Sequence, residues 1–116
     1  MESWINPWVI ILVVTGIVTA VFGYIFLKYP PREINWFYGY RTNSSMKSQQ
    51  RWDFAQAYSA REMIRAGLYM IPTGLLGGWL TLKPVVSAFL SIPVTLLFFG
   101  VVIFRTERAL RENFGK

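Results

Sequence analysis

The residues with most to offer chemically lie between Asn35 and Arg65. Here Arg41, Lys47, Arg51, Arg61 and Arg65 stand against Asp53 and Glu62, interleaved with Trp36, Phe37, Tyr38, Tyr40, Trp52, Phe54 and Tyr58. The most specific local feature is Gly39-Tyr40-Arg41-Thr42. A glycine can take positive φ, so a turn at Gly39 aims Tyr40 and Arg41. Two readings of Arg41 stand side by side. In one, its guanidinium grips a phosphate or carboxylate in a bidentate fork, flanked by Tyr40 and Trp52. In the other, Arg41 pairs with Asp53 or caps helix carbonyls, and the aromatics form a membrane belt.

Other chemistries find little footing. The chain has no cysteine and no histidine, which removes thiolate catalysis, the usual general base and the usual metal ligands. The six acids are Glu2, Glu33, Asp53, Glu62, Glu107 and Glu112, and none lies inside an apolar run, where a proton relay would place one. There is no glycine-rich phosphate loop with its lysine. The sequence therefore points to no enzyme, no catalytic residue, no cofactor and no metal. The net charge of +6 suits nucleic acid or anionic lipid. Three long apolar runs decide for lipid, and no nucleic-acid partner is expected.

Those runs are the elements that must position the polar segment. Residues 8–27 carry no charge, and about 20 apolar residues span a bilayer core of about 30 Å. A cleaved signal peptide fits this run poorly, because no Lys or Arg precedes it and it is too long. Pro30-Pro31 ends the first helix, and 30–43 is expected to be irregular. Asn43, Ser44 and Ser45 are candidate N-caps, with a helix start near Ser45. From there Trp52, Ala55, Ser59, Met63, Ala66 and Met70 share one face at 100° per residue, opposite Phe54, Tyr58, Arg61 and Arg65. Glu62 and Arg65, three apart, are spaced to pair.

The second span is read over 63–82 and the third over 84–104. The small residues of the second, with Gly74 and Gly78 four apart, suit close helix packing. Pro72 and Pro93 suggest kinks; the carbonyls they free line a small polar cavity near Ser91 and Thr95, or the prolines are accommodated by neighbours. The basic tail 105–116 is read as amphipathic and resting on headgroups. The fold class is thus an all-α integral membrane protein with three transmembrane helices and an amphipathic interfacial helix leading into the second. The domain reading is a single membrane domain over 1–116, with a cytoplasmic motif loop at 28–62.

The run Gly39-Tyr40-Arg41-Thr42, then Ser45-Met46-Lys47, then Trp52 and Ala55, resembles the signature of the SdpI family. These are small bacterial membrane proteins named for an immunity protein against a sporulation-delaying peptide toxin. The resemblance covers motif and hydropathy over about 35–104, and the first span in position. Asn43 stands where many relatives have proline, and longer members carry extra spans before this unit.

The resemblance implies resistance to an antimicrobial peptide toxin, with a signalling role alongside. Two alternatives come from other classes: a transporter or flippase-type binder of an anionic lipid or small amphiphile, and a membrane scaffold recruiting a cytoplasmic regulator. The candidate binding residues are Tyr40, Arg41, Trp52 and Asp53, with Gly39, Thr42, Ser45 and Lys47 supporting the turn. The expected partners are membrane lipids, a toxin peptide or a cytoplasmic regulator, and a further copy of the chain in a homo-oligomer. Location follows from charge. Lys and Arg are absent before the first span but abundant in 28–65 and in the tail, which puts the N-terminus outside and the C-terminus inside a bacterial cytoplasmic membrane.

Overall fold

Asn6 starts the first helix. Its Oδ1 accepts from the Val9 N–H at 2.9 Å, and Pro7 takes the first helical position, where the missing N–H costs nothing. Helix α1 runs Pro7–Lys28, about 33 Å at 1.5 Å per residue. The Tyr29 N–H closes the end on the Ile25 carbonyl at 2.7 Å, before Pro30-Pro31 turns the chain away. The computed structural model describes residues 6–35, 37–79 and 83–115. Glu2, Trp4, Trp36, the end of the second apolar run at 80–82, and Lys116 lie outside them.

No helix or strand occurs among the described residues from 29 to 48, which takes in the 30–43 expected to be irregular. Helix α2 then runs Gln49–Leu76. Its N-cap is Ser48, whose Oγ accepts from the Arg51 N–H at 3.1 Å, so the expected start near Ser45 is corrected by three residues. Asn43, Ser44 and Ser45 belong to the preceding turn instead. The predicted apolar face is the inward one: Trp52, Ala55, Ser59, Ala66 and Met70 are buried and Met63 half-buried. The helix passes Pro72 without ending and tightens into a 3₁₀ turn at Gly77–Trp79.

Helix α3 runs Pro84–Phe114, with Pro84 at its first position. The tail expected to rest on headgroups is a continuation of this helix. Thr106, Ala109 and Leu110 are buried on its inner side, and packing there outweighs exposure of the basic face. Pro72 and Pro93 are exposed on the outer faces of their helices. Ser91 turns its hydroxyl back onto the Ala88 carbonyl at 2.8 Å.

The three helices pack up-down-up, with α2 antiparallel to both neighbours. Gly23 of α1 lies against Ala60, Gly16 against Gly67, and Leu12 against Gly74. A Cβ on Gly16 would fall 2.8 Å from the Gly67 carbonyl oxygen, closer than carbon and oxygen tolerate. The backbones approach because both positions lack a side chain. Sites seven apart on each helix (16 and 23; 60, 67 and 74) stay in register along the seam, a period near two helical turns. At the far end, the Trp8 indole N–H donates to the Thr73 carbonyl at 3.0 Å.

Each helix exposes apolar side chains along part of its outer surface. Val14, Ile17 and Val21 on α1, Leu68 and Leu76 on α2, and Phe89, Leu96 and Leu97 on α3 are all exposed. Water-soluble monomers rarely show contiguous apolar faces of this extent. Helices α1 and α3 are long and apolar enough to cross a membrane. Helix α2 differs because its first half, Gln49–Arg65, is polar and charged.

Candidate functional site

The turn after α1 is built from hydroxyls and one buried amide. Gly39 has φ +98°, the backbone its sequence position suggested. Gln56, almost wholly buried on α2, holds both polar groups of Tyr40's backbone. Its Oε1 accepts from the Tyr40 N–H and its Nε2 donates to the Tyr40 carbonyl, each at 2.7 Å. The side-chain amide thus imitates a strand partner and satisfies a backbone that lies outside any regular element. Ser45, fully buried, closes the turn. Its Oγ accepts from the Thr42 N–H at 2.9 Å and lies within hydrogen-bond distance of the Tyr40 and Thr42 carbonyls.

This turn is docked onto α3 through Glu107. The Tyr40 hydroxyl donates to Glu107 Oε2 at 2.7 Å and the Thr42 hydroxyl donates to the same oxygen at 2.9 Å. Burial raises the carboxyl's pKa, but hydroxyl bonds from Tyr40, Thr42 and Ser44 and the charge of Arg111 outweigh it, so Glu107 is held below its ordinary value. Burial and the Glu107 carboxylate push the Tyr40 phenol far above its ordinary value. Both shifts favour the charged acceptor and protonated donor that the bond requires.

Arg51 makes a second link. It is buried, its Nε donates to the Ser44 carbonyl at 2.7 Å, and its Nη2 donates to the Gly115 carbonyl at 3.2 Å. A cation at the C-terminal end of α3 satisfies orphan carbonyls and the negative end of the helix dipole. The Phe114 ring packs edge-on against Phe54, with centroids 5.5 Å apart. Phe54, placed opposite the core from its periodicity, therefore meets the end of α3.

The four candidate binding residues separate into two pairs. Tyr40 and Arg41 sit on the turn, with Arg41 exposed. Trp52 is fully buried, and its indole N–H donates to the Pro31 carbonyl at 2.7 Å, so it anchors the loop from beneath and does not flank Arg41 at the surface. Asp53 is exposed and accepts from Gln49 Nε2 at 2.8 Å; Gln49 also reaches the Arg32 carbonyl at 2.6 Å. Beside them a cavity of about 370 Å³ is lined by Leu27, Pro31, Arg32, Gln49, Asp53 and Gln56. Of the supporting residues, Gly39, Thr42 and Ser45 form the turn, and Lys47 is exposed just past it.

A family model described as the SdpI/YfhL protein family matches residues 32–109. The chain belongs to the SdpI/YfhL family. The uncharacterized protein YfhL of Bacillus subtilis strain 168 is 43% identical over 65 residues, which are 56% of this chain. Those residues cover 59% of YfhL, so the chain spans about three fifths of that relative's length. No solved structure matches the chain. The SdpI/YfhL match begins at the loop and ends within the docked part of α3, and so takes in both partners of the Tyr40–Glu107 contact. Sequence reasoning missed Gln56, Glu107 and the structural use of Arg51. Gln56 left one signal, a polar residue one position past Ala55 on the buried stripe. Glu107 left none, because its partners lie more than sixty residues away.

Proposed function

We propose that this chain is an SdpI-like immunity protein of the bacterial cytoplasmic membrane, giving resistance to an antimicrobial peptide toxin. The observation that carries the reading is the family match over 32–109, which coincides with the loop, α2 and the docked part of α3. In this reading the locked turn presents Arg41 to the toxin, with the neighbouring cavity at Arg32 and Asp53 taking a side chain of the peptide. Arginine on a rigid turn loses little freedom when it engages a carboxylate.

The same reading makes α2 a third span. Its residues 60–77 lie beside residues 8–23 of α1, level by level, so a bilayer that contains α1 contains that part of α2 as well. The apolar end of α2 at Trp79 and the start of α3 at Pro84 are then joined on the outer side. The loop, the start of α2 and the basic end of α3 lie together in the cytoplasm, in keeping with their Lys and Arg content.

A survival assay tests the function. A sensitive bacterium expressing the protein is challenged with a sporulation-delaying-type peptide, and wild type is compared with Arg41→Ala at matched membrane levels. Protection by wild type that disappears in Arg41→Ala is the expected result. Absence of protection with the protein inserted overturns the immunity reading. Reporter fusions at Asn43 and Lys83 test the topology: cytoplasmic at the first and external at the second is expected, and both on one side removes the third span.

A further inference from the structure

We propose that the cleft between α2 and α3 binds an anionic phospholipid of the cytoplasmic leaflet; this rests on the three-span topology with the C-terminal side inside, and not on the Arg41 loop or on toxin resistance. The cleft has two parts that share Arg105. One, of about 320 Å³, has apolar walls that include Tyr69, Phe98 and Val101, and opens on Glu62, Arg65 and Arg105. The other, of about 190 Å³, is lined by Tyr58, Arg108 and Glu112. An apolar slot joined to a polar one through an arginine has the form of an amphiphile.

Charge selects the headgroup. Glu62 is buried, with 7% of its side chain exposed, and its Oε1 accepts from Arg105 Nε at 2.8 Å and from Arg65 Nη1 at 3.4 Å. The arginine side chains are 49% and 62% exposed, so they reach outward from a fixed anionic base. Arg108 pairs with Glu112 at 2.9 Å. Three arginines against two carboxylates leave one net positive charge, the complement of a phosphodiester. Each guanidinium has five N–H donors, and the bond to Glu62 leaves Arg65 and Arg105 with donors for a second acceptor.

Depth selects a lipid. Arg105 directly follows the apolar run that ends at Phe104. Ile64 packs on Gly23 of α1, one helical turn inside the end of that helix's apolar run at Leu27. The cluster therefore lies where headgroups meet acyl chains, and arginines at this level extend toward the phosphates. Tyr69, Phe98 and Val101 lie deeper, at the level of an acyl chain.

The test is native mass spectrometry of the full chain released from bilayers of equimolar phosphatidylglycerol and phosphatidylcholine. Wild type is expected to carry phosphatidylglycerol in about five- to tenfold excess, the preference of about one arginine contact. Arg65→Gln, which keeps the Arg105–Glu62 bridge, is expected to bring the ratio close to one. Val101→Trp, which fills the apolar slot from its exposed side, is expected to lower adducts of both lipids severalfold. Melting temperatures read alongside confirm that each variant is folded. Equal retention of the two lipids by wild type overturns the proposal, as does a folded Arg65→Gln that keeps the excess or a folded Val101→Trp that keeps its adducts.

Discussion

Tyr40 and Glu107 are 67 residues apart in the chain, yet the phenol donates to the carboxylate at 2.7 Å. This bond ties the turn at 39–45 to the last turns of α3. It converts an exposed connection into a surface with one defined shape. A double-mutant cycle of Tyr40→Phe and Glu107→Gln, read by unfolding in detergent, is expected to give a coupling of about 1.5–3 kcal/mol, as for a hydrogen bond to a charged group. Additive effects would mean that the two side chains do not act together.

Acid should release the turn. The folded-state pKa of Glu107 is depressed, so its contribution is complete above the ordinary carboxylate range and is lost as pH falls through the folded value. Fluorine NMR of fluorotyrosine-labelled protein is expected to show the Tyr40 resonance moving only below that range. In Glu107→Gln the resonance should already be shifted at neutral pH and should stay flat with acid.

The helix seam makes an opposite pair of predictions for two glycines. Gly67→Val forces a side chain into the α1 backbone and is expected to cost about 2–4 kcal/mol, at or beyond the upper end for overpacking because the obstacle is backbone. Gly100→Ala meets nothing within 4 Å and is expected to be neutral or to stabilise by up to about 1 kcal/mol through helix propensity. Melting temperatures in matched micelles decide the matter, and similar behaviour of the two variants would contradict the close approach.

Arg51→Gln removes the cation that holds the Ser44 and Gly115 carbonyls. Its effect is expected to be local, about 1–3 kcal/mol, felt at the turn and at the end of α3 together. Hydrogen exchange should quicken in 40–46 and 108–115 while the α1–α2 seam stays protected. Faster exchange at only one of the two segments would show that Arg51 does not join them.

Trp52 and Arg41 should fail in different ways. Trp52→Ala empties a fully buried site and breaks the bond to Pro31, at an expected cost of about 3–5 kcal/mol and a fall in membrane level. Arg41→Ala, at an exposed position, is expected to change stability by about 1 kcal/mol or less. Immunoblots of membrane fractions distinguish the two, and a large loss of Arg41→Ala protein would assign Arg41 a structural role.

Local patterns in the sequence determined the helices, the inner face of α2 and the turn at Gly39. Helix periodicity, proline stops and glycine torsion act over a few residues, and hydropathy needs only composition. That is why Trp52, Ala55, Ser59 and Met70 could be assigned to one helix face before any fold was known. Only the tertiary structure decided who meets whom. Ser48 caps α2 because Ser45 is consumed by the turn, and α3 continues to Phe114 because its inner side is packed and Arg51 secures its end. Glu62 takes Arg105 from 43 residues away, besides the predicted Arg65, and Glu107 takes Tyr40 and Thr42. The physical reason is that a charged or polar group withdrawn from water must find a partner, and the nearest partner in space is fixed by helix packing. The Gly16–Gly67 approach sets that packing, and neither glycine reveals the other along the chain.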